Sequence, residues 1–262
     1  KKHINSFNID SILTTFEGHP WEVLIFFYSN HKKIKSSAYL HTYLKKNSPY
    51  FFLSKNYVPN VIYTVGREMA NVVNRFLGIS FSQIKILGSK KHNSDKVYEY
   101  IQNNKTFKNI LLLPESIDEE VDIFLKFIDH CKSYRNLNIK IKFHPLYSIN
   151  NYLIKNYNDY ITQSQLDDII INTDLIIYRG TSTIFELMKF KVISLYLSND
   201  NETTRDPLFY CNDKFIISNN NIKNFLNLDN NSTKDKLLIN EFNVLRKKMF
   251  DYYEPINREK LP

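Results

Sequence analysis

Between residues 107 and 197 short apolar runs alternate with helix-patterned stretches, and this alternation limits the possible folds more than any other feature of the chain. Asn109-Ile110-Leu111-Leu112-Leu113-Pro114 is a continuous apolar run of strand length, closed by a proline that cannot extend a hydrogen-bonded ladder. Asp118 to Tyr134 comes next, with apolar residues at helical spacing and acids in its first turn, where the helix dipole favours negative charge. The pattern then repeats. Ile139 to Phe143 reads as a strand ending at His144-Pro145, Leu175 to Tyr178 as a strand, Ser182 to Phe190 as a helix, and Val192 to Leu197 as a further strand. Strands separated by helices pair in parallel, and the resulting α/β sheet is covered on both faces. Such sheets bind ligands beyond the carboxyl ends of their strands. The segments to inspect are therefore Pro114 to Ser116, His144 to Leu146 and Arg179 to Thr183.

The first third carries a weaker version of the same alternation. Thr14 to Pro20 reads as a loop entering a helix from Trp21 to Tyr28, with Glu22 near its start. Lys35 to Leu44 and Asn60 to Thr64 read as strands, Arg67 to Leu77 as a helix ending at Gly78, and Ile84 to Gly88 as another short strand. The stretch from Ser89 to Lys108 is polar and charged, as expected of a crossing between domains. The 262 residues then divide into two modest α/β domains, 1–95 and 96–262. The chain opens on a charged segment rather than on a Met and a first strand, so the N-terminal domain is expected to be incomplete.

A net charge of +8 fits an anionic partner, but the lysines are scattered apart from Lys32, Lys33 and Lys35 and the pair Lys45 and Lys46. With no RNA- or DNA-binding signature, a nucleic-acid partner is not expected; peripheral association with an anionic membrane is. Cys131 and Cys211 lie far apart and without metal-ligand spacing, which points to a reducing cytoplasm and to no metal site. No apolar run reaches the roughly 18 residues of a membrane span.

Three local patterns can carry chemistry. In Tyr178-Arg179-Gly180-Thr181-Ser182-Thr183, hydroxyls and backbone N–H groups gather where a strand turns into a helix, an arrangement that favours phosphate; equally, Ser182 or Thr183 can cap that helix, with Glu186 completing a capping box. In Lys142-Phe143-His144-Pro145 an imidazole stands at a strand tip, able to donate to a phosphate or a leaving-group oxygen. In Glu17-Gly18-His19-Pro20-Trp21-Glu22 a carboxylate sits beside a histidine at a helix start, suited either to general-base work or to a cap with Glu22 answering the dipole. Glu115 and Ser116, at the tip of the strand ending in Pro114, can contact a nucleotide or line the cleft, with a surface turn as the plainer reading of Glu115, and His41 can face an acceptor or be structural. Arg179 and Lys142 can supply positive charge to these patterns or be solvated surface cations.

The ordered set of an acid-Gly element, a strand-terminal His-Pro and a Ser/Thr pair opening a later helix resembles bacterial sialyltransferases and related surface-carbohydrate transferases. That resemblance implies a GT-B fold of two Rossmann-type domains, a nucleotide-sugar donor with a CMP-activated acidic sugar, inversion at the anomeric carbon, a glycan or glycolipid acceptor, and no cofactor or metal. It implies that Glu17 takes the acceptor proton. His144 and Pro145, with Gly180, Thr181, Ser182 and Thr183, would hold the nucleotide phosphate, while Gly18, His19 and His41 would lie toward the acceptor. In the family motif two acids precede the glycine, where this chain has Phe16-Glu17. His-Pro with a hydroxyl pair also resembles the polyol-phosphate transferases of teichoic-acid synthesis. A non-catalytic nucleotide-binding module and an epimerase of the same shape remain alternatives. The segment Asp251 to Pro255, after the helix-like run Leu245 to Phe250, fits the return of the final helix to the first domain in that fold.

Overall fold

The computed structural model of the chain describes residues 9–46, 48–52, 54–92, 99, 101, 107–133, 136–199, 205–211, 215–218 and 233–260. These fall into two units, residues 1–96 with 251–262, and residues 97–250. The expected boundary at 95/96 lies outside the described residues.

The first unit is built on β1 (Ser11–Thr15), β2 (Lys35–Leu40), β3 (Val61–Thr64) and β4 (Ile84–Ile86), which pair in parallel in that order. β1 forms where the sequence reads only the start of a loop, because the β-branched Thr14 and Thr15 carry the extended backbone up to Phe16. β2 is shorter than Lys35 to Leu44, since its register with β3 ends at Leu40 opposite Thr64. Helix α1 (Pro20–Lys32) begins on a proline, whose missing N–H costs nothing in the first turn, and buries Glu22, Phe26 and Ser29. Helix α2 (Arg67–Leu77) stops at Gly78, which adopts the left-handed conformation at φ 64° and donates its N–H to the Asn74 carbonyl. Phe16, Phe26, Ala38, Ile62, Val65, Met69 and Val73 are fully buried.

Residues 251–262 group with this unit although the sequence places them in the range 96–262. The reason is backbone hydrogen bonding: Glu254 N–H donates to Val65 O at 2.9 Å, Ser89 N–H to Glu254 O at 2.8 Å, and Asn257 N–H to Leu87 O at 2.8 Å. Gly66 and Gly88 allow this close approach, because a Cβ at either would collide with the carbonyl of Tyr252 or of Pro255. Tyr252 and Tyr253 are buried.

The second unit carries β5 (Asn109–Leu113), α3 (Asp118–Cys131), β6 (Asn138–Ile141), α4 (Asn151–Tyr157), α5 (Leu166–Ile170), β7 (Leu175–Tyr178), α6 (Thr183–Leu187), β8 (Ile193–Leu197), β9 (Ile216–Ile217) and α7 (Thr233–Met249). Its strands run in parallel in the order β6-β5-β7-β8-β9. Every residue of β7 and β8 is buried, as a sheet covered on both faces requires. Phe124, Phe127 and Ile128 of α3 are fully buried, each contributing about 1.5–3 kcal/mol. The chain leaves β5 toward β6 on one side and returns to β7 on the other, so the order reverses between β5 and β7. That reversal opens a crevice at their carboxyl ends. Among the described residues no helix is long and apolar enough to cross a membrane.

Candidate functional site

A cavity of about 250 Å³ lies at this reversal point, lined from the carboxyl ends of three strands and the turns beyond them: Leu113 and Pro114 at the end of β5, Lys142 to Pro145 beyond β6, and Thr181, Thr183 and Glu186 beyond β7, with Leu166 of α5. His144, Pro145, Thr181 and Thr183, separated in sequence by a whole βα unit, are thus brought into one wall. The exposed His144 ring receives the Leu146 N–H at Nδ1, 3.2 Å away. A neutral imidazole held this way carries its proton on Nε2, which makes it a hydrogen-bond donor toward a ligand.

Thr181 Oγ1 accepts the Thr183 N–H at 3.2 Å and so shapes the turn between β7 and α6. Ser182 occupies the N-cap position in helical conformation without a side-chain capping bond, and it is not among the residues lining the cavity. Glu186, which the sequence offers as a capping partner, instead lines the cavity. A carboxylate there repels phosphate but accepts from sugar hydroxyls, so the cavity is polar in two senses, with donor groups at His144 and the threonines and an acceptor at Glu186. Its position on α6, three residues after Thr183, was the available signal. Lys142 also lines the wall, its Nζ donating to Ser164 O at 2.8 Å.

Gly180 sits beside this wall at φ 54°, in the left-handed region that favours glycine. The Glu115 carboxylate lies against its Cα, where a Cβ would have to be. Ser116, the next residue, is exposed. Arg179 is closed off from a ligand: it is fully buried, paired with the Glu120 carboxylate and donating to Leu197 O. Glu120 also meets Arg205 Nη1 at 3.3 Å, and Arg205 in turn lies 3.8 Å from Glu115 Oε2. Sequence reasoning missed Arg205, because its partners are distant in the chain and no local pattern marks it.

In the first unit Glu17, Gly18, His19 and His41 converge. Glu17 Oε2 lies 2.9 Å from His19 Nε2, and Glu17 Oε1 lies 3.0 Å from His41 Nε2. Each carboxylate oxygen thus meets one imidazole, which gathers acid, base and proton-carrying groups in one partly exposed cluster. The loop that presents it is held from below by Glu22, which is completely buried. Its carboxylate accepts the N–H groups of Glu17, Gly18 and His19 at 3.0, 2.9 and 3.0 Å, the Thr15 hydroxyl at 2.6 Å and the Tyr50 hydroxyl at 3.0 Å. Gly18 takes φ 89° at the crest of this loop. Tyr50 stacks on Phe16 with 3.9 Å between ring centroids; burial, reinforced by the negative charge of Glu22, pushes its phenol far above the ordinary value of 10.0. Glu22 is more than a first-turn acid answering the dipole.

Among the described residues no group of three or more His, Cys, Asp or Glu is arranged to hold a metal ion. Burial pushes the Cys131 thiol up to about 12, which leaves it an inert core residue.

No protein-family model matches the chain, and no curated protein matches it by sequence. Among solved structures it is similar to MurG of Acinetobacter baumannii, with a TM-score of 0.52 and 12% identity over 94% of this chain and 72% of that one. It is similar also to S. aureus MnaA in a structure with UDP, with a TM-score of 0.51 and 12% identity over 92% of this chain and 70% of that one. TarM overlaps it with a TM-score of 0.47 and 14% identity over 92% of this chain, which spans about half, 51%, of TarM. At these identities the likeness to MurG and MnaA is one of fold: α/β, with two parallel sheets, of the GT-B type.

Proposed function

We propose that the protein is a glycosyltransferase whose second unit binds the nucleotide of a nucleotide-sugar donor and whose first unit supplies the group that deprotonates an acceptor hydroxyl. The observation that carries this reading is the cavity at the β5/β7 reversal, where His144, Thr181 and Thr183 offer donors beside the Glu186 acceptor. A phosphate ester linked to a ribose matches that division. The MnaA structure, of the same fold, contains UDP, a ligand of this chemical class.

Catalysis in this reading needs two things of the chain. Negative charge develops on the leaving phosphate as the glycosidic bond breaks, and His144, through its Nε2 proton, stabilises it. The acceptor hydroxyl loses its proton as it attacks the anomeric carbon. Glu17 takes that proton within a cluster where His19 and His41 share the charge. The donor is a CMP-activated acidic sugar and the acceptor a surface glycan or glycolipid, both carried over from the resemblance to bacterial sialyltransferases.

Thermal-shift and calorimetric titration with CMP, CDP, UDP and GDP, each with and without magnesium, tests this directly. A ligand at 100 times its Kd stabilises the folded state by about 2.7 kcal/mol. The expected result is selective, metal-independent binding of CMP that His144→Ala weakens. A preference for UDP or GDP overturns the donor, and no nucleotide binding overturns the enzymatic reading in favour of an inactive module.

A further inference from the structure

A cation strengthens the binding of a nucleotide phosphate, and the residues in and beside the cavity narrow the choice. Arg179 is fully buried between Glu120 and Leu197 O. Lys142 is tied by its Nζ to Ser164 O. Arg205 differs in exposure: its side chain is 46% exposed, with one contact to Glu120 Oε1 at 3.3 Å and a second to Glu115 Oε2 at 3.8 Å, longer than a hydrogen bond.

Resting on the nucleotide reading above, we infer that Arg205 recognises the phosphate of the bound nucleotide, exchanging Glu115 for it. Glu115 is the link between Arg205 and the cavity. It directly follows Pro114, and its carboxylate lies against Gly180, which directly precedes Thr181; Pro114 and Thr181 both line the cavity wall. A phosphate settling against Gly180 and Thr181 therefore meets the Glu115 carboxylate, and like charges cannot share that position. Glu120 already forms a compensated pair with Arg179, so the Arg205–Glu115 pair is the one that can change partners. Arg205 keeps its 3.3 Å contact with Glu120 throughout, and the Glu115 carboxylate that gives way to phosphate is 26% exposed, so solvent can take it up as it turns from Gly180.

The backbone favours a swinging side chain on a fixed base. Arg205 N–H donates to Tyr196 Oη at 3.0 Å, and Asp206 Oδ1 accepts both the Tyr178 hydroxyl at 2.9 Å and the Leu208 N–H at 2.8 Å. These bonds hold residues 205–208 to the ends of β7 and β8 while the guanidinium stays partly in solvent.

Calorimetry with CMP and with cytidine, which lacks the phosphate, separates this inference from the reading beneath it. Arg205→Gln is expected to weaken CMP at least tenfold and to leave cytidine unchanged. Glu115→Gln, which removes the carboxylate competing with phosphate and leaves the Arg205–Glu120 contact in place, is expected to tighten CMP severalfold. The double variant is expected to bind CMP as weakly as Arg205→Gln alone. An unchanged ratio of CMP to cytidine affinity in Arg205→Gln overturns the inference. So does a return to wild-type affinity in the double variant, which would mean that Arg205 only neutralises Glu115. Should Arg205→Gln fail to fold, Glu115→Gln decides alone, and unchanged CMP affinity there overturns the exchange. A wild-type protein that binds neither ligand overturns the nucleotide reading itself.

Discussion

Glu22 offers the sharpest test of how the first unit holds its candidate acid, because one buried carboxylate satisfies the Glu17, Gly18 and His19 N–H groups and the Thr15 and Tyr50 hydroxyls. Replacing it with alanine removes every acceptor at once. The Tyr50 hydroxyl bond is buried, so it bears the full cost of an unmet donor, about 1–3 kcal/mol. The three backbone donors and Thr15 are only part-buried, and water can replace the carboxylate there at about 0.5–1 kcal/mol each. The total is roughly 3–7 kcal/mol, a large share of a typical domain stability of about 5–15 kcal/mol. Glu22→Gln keeps one carbonyl oxygen, and its amide can donate to Thr15, so its cost is about 1–2 kcal/mol. The assay is built into the chain: Trp21 is its single tryptophan, lies in the first turn of α1 and stacks near His19 at 5.8 Å. Fluorescence-monitored urea unfolding thus reports on the first unit without a signal from the second. With m of about 2 kcal/mol/M, the alanine variant moves the midpoint down by roughly 1.5–3.5 M and the glutamine variant by about 1 M or less. A Glu22→Ala variant within about 1 kcal/mol of wild type, or a glutamine variant as damaged as the alanine one, would refute the clamp.

Tyr50 gives that unit a pH dependence, measurable by the same fluorescence. Its phenol stays neutral in the folded state well above the ordinary 10.0, while the unfolded chain ionises there, so stability is fully present below pH 10 and falls above it by up to ~1.4 kcal/mol per pH unit; Tyr50→Phe removes this component. Gly180→Ala forces a Cβ into the Glu115 carboxylate at a positive φ and should cost about 1–3 kcal/mol in the second unit, read by hydrogen exchange in β7, whereas Gly78→Ala, with open space around it, bears only the cost of its positive φ. Glu120→Gln removes the carboxylate paired with the buried Arg179 guanidinium and should destabilise the second unit by about 3–5 kcal/mol, with circular dichroism as the measure; a loss under about 1 kcal/mol would refute that role for the pair.

The βα alternation from Asn109 to Leu197 is legible chiefly through β5, β7 and β8, which are buried on both faces and read as near-continuous apolar runs, whereas the edge strand β6 alternates. Arg67 to Leu77 is legible to the residue, since its apolar spacing ends on a glycine that the chain needs for a left-handed cap. The misses have a common cause. β1 is only partly buried and carries few apolar residues, and α4 and α5 are single short helices in polar surroundings, so local composition says little about them. α6 ends at Leu187 rather than Phe190, and α3 at Cys131 rather than Tyr134, because helix ends depend on what the last turn packs against.

The same division holds for the candidate site. Sequence alone determined which residues stand at strand tips, because strand, proline and glycine are local signals, and so it supplied His144, Thr181, Thr183 and the Glu17-Gly18-His19 loop. Tertiary structure alone decided what each of them meets. It buried Arg179 against Glu120, set Glu115 on Gly180, brought His41 to Glu17 across the β1/β2 pair, and turned Glu22 inward beneath its own loop. A side chain's charge is written in the sequence, but its partner is set by chain segments tens of residues away, and only the packed sheet brings those segments within hydrogen-bond reach.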